Sequence, residues 1–127
     1  HLITRIPGSS LNYTGSVIAY DNKVKENILG VPSEVTEKHG AVSEEVARLM
    51  AEGARRVMLT DYALSTTGIA GPDGGTDQKP IGTICIAFAS EYGTISEKHV
   101  FGNERTSNII RFSIAALSLA RKQILVH

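Results

Sequence analysis

The residues best suited to chemistry in this sequence are a lysine beside a tyrosine, an arginine at a helix start, and a ribbon of glycines. Tyr20-Asp21-Asn22-Lys23-Val24-Lys25 lies where an apolar, β-branched run hands over to a helix. Ligands of open α/β sheets collect at strand ends, so this corner is well placed. A lysine held against apolar walls sheds its proton near neutral pH and then acts as a base. Lys25 follows Tyr20 by five positions, so both side chains can face one crevice from opposite sides of the turn. The residues alone also fit a plainer arrangement, with both lysines solvated on a short surface helix.

The ribbon is residues 67–83, TGIAGPDGGTDQKPIGT, with five glycines and two prolines between two apolar runs. It is too long for a tight hairpin and too rich in glycine for a packed element. Glycine lets backbone approach a ligand closely, while Pro72 and Pro80 limit the wandering of the chain. Successive N–H groups in such a loop form an anion-binding concavity. The spacing matches neither the GxxxxGK[ST] nor the GxGxxG template. Gly102-Asn103-Glu104-Arg105 opens the last helix, where free N–H groups and an arginine fork suit a phosphate. A capped helix with a surface Arg–Glu pair explains the same residues. Lys79, at the end of the ribbon, either adds a positive charge to the site or points into water.

Other catalytic signatures are missing. No GxSxG elbow occurs, and no serine is followed by lysine three residues on; Thr76 and Lys79 have that spacing only within a loop. His39 precedes a glycine at a helix end and His99 lies on a polar strand, so neither suggests a triad. No His/Cys/Asp/Glu cluster has metal-ligand spacing. Cys85 is the only cysteine, in an apolar run; it excludes an internal disulfide and fits a reducing cytoplasm. Its burial there makes an inert thiol the expected state.

These groups must be positioned by a single domain of 127 residues. Thirteen basic residues balance thirteen acidic ones, so no overall field draws nucleic acid or an anionic membrane. No run approaches the roughly 18 apolar residues of a membrane span, and nothing at the start resembles a signal peptide. Residues 1–6 read as the tail of a helix, stopped by Pro7-Gly8. Residues 13–20 read as a strand. Asp21 or Asn22 caps a short helix over 23–29, closed by Gly30, and Pro32-Ser33 starts another that ends near Gly40. Ser43 caps a long amphipathic helix over 44–58, with Glu44 and Glu45 favoured in its first turn. Gly53 within it costs stability relative to alanine and suggests close packing. Strands follow over 62–67, 81–89 and 94–101, the second apolar on both faces. Asn103 is expected to cap the last helix, over 104–124, which is apolar almost all round from 109 to 120. Such a helix is sandwiched in the domain or covered by a second subunit, which makes a homo-oligomer plausible. The order of elements argues for an α/β fold, a three-layer α/β/α sandwich with a mixed sheet.

In sum these motifs resemble the C-terminal domain of the competence/damage-inducible CinA family, the nicotinamide-nucleotide amidase module. The parts occur in family order over nearly the whole chain: PGSS at 7–10, YxNxxK at 20–25, LGV at 29–31, HGAVSEEVA at 39–47, MAEGAR at 50–55, the glycine ribbon and FGxxR at 101–105. The resemblance implies hydrolysis of the carboxamide of nicotinamide mononucleotide to nicotinic acid mononucleotide and ammonia, with no cofactor. By the same resemblance Lys25 is the general base of a serine–lysine pair, assisted or oriented by Tyr20, with Asn22 nearby at the substrate. The ribbon, through Thr67, Gly68, Ala70, Gly71, Gly74, Gly75 and Thr76, shapes the pocket and supplies backbone donors. Arg105 is assigned to the phosphate from its chemistry alone. In the family the nucleophilic serine lies in an ESCTGG-like motif just before PGSS. That places it upstream of His1, and implies no turnover by residues 1–127 by themselves; Ser9 and Ser10 are not the nucleophile. A reading from another class is a nucleotide-binding or regulatory module without catalysis. A purely structural interaction domain sits poorly with the ribbon.

Overall fold

The computed structural model describes residues 1–126. Its centre is an antiparallel sheet in the order β1 (Ala63–Gly68), β2 (Thr83–Ser90), β3 (Gly93–Val100). β2 is buried along its whole length, and its alternate side chains differ in size. Cys85, Ala87 and Ala89 face one way and meet Ala47 and Ala51 of α3 (Glu44–Met58). Ile84, Ile86 and Phe88 face the other way and meet Phe112, Ala116, Leu119 and Ala120 of α4 (Arg105–Val126). Period-two alternation thus produces three layers from one strand. The small side lets α3 settle close to the sheet. The large side carries most of the apolar burial, at about 1.5–3 kcal/mol for each large side chain removed from water.

The pairings among these strands are all antiparallel, where a mixed sheet was expected. β2 and β3 form a hairpin closed at Ser90 and Gly93, the latter at φ 123°. Residues 13–20, expected as a strand, are extended but join no ladder. Their β-branched and aromatic side chains favour extended backbone, but a strand exists only where a neighbouring edge supplies hydrogen bonds. The expected helical tail over 1–6 is a turn closed by Arg5 N–H to the His1 carbonyl.

The helix starts follow local capping chemistry. Asp21 accepts from the Lys23 N–H and opens α1 (Asn22–Asn27). Pro32 and Gly40 bracket α2 (Ser33–His39). Ser43 accepts from the Val46 N–H at the start of α3. For α4 the cap is Glu104 rather than Asn103, because its carboxylate accepts from the N–H groups of Ser107 and Thr106. Those bonds hold the Glu104 carboxyl below the usual range, the Ser107 contact most of all. Half of α4 covers the sheet, while Ile109, Ile110 and Ile114 on its other side are exposed. Among the described residues no helix is long and apolar enough to cross a membrane.

A third cluster, Leu29, Val31, Val46 and Met50, joins α3 to the loop after α1, with Val17 and Ala19 packed against it. Gly53 makes this contact possible: a Cβ there would stand 2.0 Å from the Leu29 carbonyl oxygen. Gly53→Ala should therefore lower unfolding stability by about 2 kcal/mol or more, despite the roughly 1 kcal/mol gain in helix propensity. Urea unfolding of the two proteins checks this, and an unchanged or raised midpoint would refute the close-packing account.

Candidate active site

Lys25 is the one strongly buried cation of the fold among the described residues, 6% exposed. It sits one turn into α1, whose start is set by the Asp21 cap, and its carbonyl accepts from the Val31 N–H as the chain folds back. The amine donates to the Ala19 carbonyl at 3.0 Å and to Asn22 Oδ1 at 3.3 Å. Burial pushes its pKa down from the ordinary lysine value, and the Asp21 carboxylate pulls partly the other way. The outcome is an amine drawn towards its neutral, basic form, with two acceptors aiming it. Of the two lysines in α1, Lys23 is the exposed one. Tyr20 lies 87% exposed, and no hydrogen bond joins it to Lys25 among the described residues. Extended backbone explains the separation: Ala19 turns inward, so its neighbour turns outward.

The ribbon between β1 and β2 is pinned at several points. Thr67, buried, donates its hydroxyl to the Ala41 carbonyl at 2.8 Å. Gly68 has no room for a side chain, since a Cβ would come within 2.8 Å of Ile84 and 2.9 Å of Phe112. Ala70 offers its carbonyl to Asn108 Nδ2 at 2.9 Å, and Gly71 offers its own to Arg105 Nη1 at 2.7 Å. Gly71 and Gly74 take positive φ, and the Gly71–Pro72 peptide is cis. Thr76 closes the far end, with N–H to the Lys79 carbonyl at 2.8 Å and Oγ1 accepting from the Lys79 N–H at 3.0 Å. Gly75 is packed so that a Cβ would meet Ile81 N at 2.8 Å. Residues 72–78 are exposed between these anchors. Among the described residues, no protein acceptor takes the N–H of Asp73, Gly74 or Gly75. The ribbon is therefore a rigid frame around a short exposed row of backbone donors.

Lys79 does not reach into solvent. Its amine donates to the His39 carbonyl at 2.5 Å, the C-terminal end of α2, where the helix dipole favours a cation. Sequence reasoning missed Asn108, which is fully buried in α4 and binds both the Ala70 and the Gly102 carbonyls. An asparagine in the first turn of a long apolar helix is the signal that could have found it, because a buried amide needs partners. Arg105 and Asn108 together fasten the ribbon to α4.

Lys25 and the ribbon lie at the same end of the sheet. Thr67 meets Ala41 just before α3, and Ser65 donates to Ala47 in its first turn, so β1 runs against α3 and delivers the ribbon to the α3 N-terminus. Residues 13–20 run the same way: Gly15 is beside Met58 at the α3 C-terminus, and Val17 and Ala19 reach the Val46 and Met50 cluster. Their far end holds α1 and Lys25.

The family model for the CinA C-terminal domain matches residues 1–124. The chain belongs to this family. CinA-like proteins of Cytophaga hutchinsonii and Salinibacter ruber are 47% and 46% identical to it, over 98% and 99% of its length. The chain spans only 30% and 31% of those two proteins. Among solved structures, the competence/damage-inducible protein CihA of Agrobacterium tumefaciens superposes with a TM-score of 0.91 at 33% identity, covering 94% of this chain and 73% of that one. The competence damage-inducible protein A of Klebsiella pneumoniae gives 0.91 at 25% identity, covering 97% of this chain and 76% of that one. The ribbon and Lys25 described above therefore belong to a CinA C-terminal domain.

Two outcomes follow from the geometry. Because folding lowers the Lys25 pKa, the unfolded chain binds more protons between the folded and the ordinary lysine value. Stability should then rise with pH through that window, and Lys25→Met should flatten the rise. Equal slopes in urea titrations of both proteins across alkaline pH would refute the burial account of Lys25. Asn108→Ala should cost about 1–3 kcal/mol through the Ala70 and Gly102 carbonyls left without their donor, with faster amide exchange at residues 70–76. Unchanged exchange there would show that Asn108 does not hold the ribbon.

Proposed function

We propose that this CinA C-terminal domain is the amidase module of a longer protein and hydrolyses the carboxamide of nicotinamide mononucleotide. The observation that carries the reading is a buried, pKa-lowered lysine at the same sheet end as a rigid ribbon of exposed backbone donors. Amide hydrolysis needs both, a base to activate a nucleophile and donors for the oxyanion that forms.

In this reading a hydroxyl supplied from upstream of His1 attacks the carboxamide carbon and passes its proton to the neutral Lys25 amine. The ribbon N–H groups of residues 73–75 stabilise the tetrahedral oxyanion. The carbon–nitrogen bond then breaks, and the Lys25 ammonium returns the proton to the departing nitrogen, which leaves as ammonia. Water attacks the acyl ester by the same exchange with Lys25, releasing nicotinic acid mononucleotide and restoring the hydroxyl. Asn22 holds the amine through its side-chain oxygen, and Thr67, Gly68, Ala70 and Gly71 hold the ribbon in shape. Arg105 serves the phosphate with the guanidinium donors not committed to Gly71. Tyr20, exposed beside Ala19, acts at the rim of the pocket.

The test is ammonia release from nicotinamide mononucleotide by the full-length protein. Lys25→Met should lower kcat about 10²–10⁴-fold, the usual contribution of a general base, and full activity would remove Lys25 from the reaction. In the wild type, kcat/KM should rise with pH as Lys25 loses its proton. Arg105→Ala should weaken the mononucleotide more than the phosphate-free riboside; equal losses would assign Arg105 to the ribbon alone. Stabilisation by the mononucleotide without any turnover would instead make the domain a binding module.

A further inference from the structure

A cleft of about 280 Å³ opens between the C-terminal turn of α3 and the hairpin that joins β2 to β3. It lies at the opposite end of the sheet from Lys25 and the ribbon, which gather at the α3 N-terminus. Arg55 and Arg56 line one side, and Ser90 and Thr94 line the other. Each guanidinium is fixed by one backbone carbonyl: Arg55 Nε donates to Asp61 at 3.0 Å, and Arg56 Nη2 donates to Leu29 at 3.1 Å. Among the described residues their other donors have no protein acceptor, and neither arginine forms an ion pair. Glu52, one turn earlier on α3, also lines the cleft, yet its carboxylate pairs with neither of them. Thr94 is half-buried, and its hydroxyl makes no hydrogen bond among the described residues.

The same cleft is lined by the one non-glycine residue at positive φ among the described residues, Leu59, at φ 55° and ψ 46°. Leu59 closes α3 by giving its N–H to the Arg55 carbonyl. Glycine fills such a left-handed position without steric cost, and leucine does not. Burial does not offset that cost, because Leu59 is 91% exposed. The helix dipole accounts for two arginines in the last turn of α3. It does not account for an apolar side chain held in water beside them by unfavourable backbone. Strain of this kind concentrates at ligand clamps.

We propose that this cleft binds a phosphate monoester carrying a short apolar group, with the phosphate on Arg55, Arg56 and Thr94 and the carbon part against Leu59. Guanidinium forks match oxyanions, and the three oxygens of a phosphate engage two forks and a hydroxyl more fully than the two of a carboxylate. The Asp61 and Leu29 carbonyls already hold the arginines in place, so less side-chain freedom is lost on binding. The volume is just below the roughly 300 Å³ at which pockets for drug-sized ligands begin, which keeps the apolar group small. Because the cleft and the ribbon occupy opposite ends of the sheet, this is a second site whatever reaction the first performs.

Amide hydrogen exchange on the full-length protein tests the site with inorganic phosphate, butyl phosphate and acetate as probes. Both phosphates should slow exchange at residues 55–60 and 90–94, butyl phosphate at the lower concentration, and acetate should not. Arg55→Met should raise the apparent Kd for butyl phosphate about tenfold or more, the usual loss for a hydrogen bond to a charged group. Glu52→Gln removes a like charge without touching either guanidinium, and should tighten both phosphates. Leu59→Gly should raise the urea midpoint and make the two phosphates bind equally. Exchange unchanged by every probe, or slowed only at ribbon residues 73–76, would overturn the site, as would affinities that neither Arg55→Met nor Glu52→Gln alters. Acetate protecting as well as phosphate would overturn the assignment of the ligand, and a Leu59→Gly protein that still prefers butyl phosphate would overturn the apolar contact.

Discussion

Everything in this fold hangs on β2 being covered on both faces by helices of different reach. A strand with alanines and a cysteine on one side and Ile84, Ile86 and Phe88 on the other cannot be packed symmetrically. α3 must come close, and α4 must stand off by the length of large side chains. The height of α3 then decides where the loop after α1 can lie, since Gly53 takes the Leu29 carbonyl directly against the helix. That contact closes the cluster of Leu29, Val31, Val46 and Met50 near Lys25. The desolvation that makes Lys25 chemically interesting is therefore a distant consequence of the small face of β2.

The ribbon is rigid for a different reason. Its glycines allow tight approaches, but freedom alone would make it mobile. Order comes from polar anchors on elements far away in sequence: Arg105 and Asn108 in α4, the Ala41 carbonyl before α3, and the His39 carbonyl at the end of α2. Each anchor takes up a backbone or side-chain group that would otherwise be buried without a partner. The N–H groups of residues 73–75 stay exposed between these anchors. A loop built in this way arrives at its ligand already ordered, which spares the entropy of ordering it on binding.

Burial and anchoring meet at one end of the sheet because β1 and residues 13–20 both run against α3. Lys25 follows the second stretch and the ribbon follows the first, so a common direction brings two distant segments to one place. This is the same geometry that places ligands of many α/β proteins at strand ends.

Much was legible from residues alone. The long helix over 44–58, its Ser43 cap and the buried strand over 81–89 rest on periodicity and local capping chemistry, which few-residue windows contain. Motif order was enough to assign the family, and with it the expectation of a functional lysine at position 25. Tertiary structure alone decided the rest. Whether the Lys25 amine is buried depends on Ala19 and Asn22 accepting from it and on apolar neighbours, none of which spacing reveals. Tyr20 faces solvent because extended backbone turns it away from Ala19, and Arg105 is tied to Gly71 because α4 passes under the ribbon. Residues 13–20 show the division most clearly: their composition specifies an extended backbone, but a strand is a relation between two edges, and no single segment can encode its own partner.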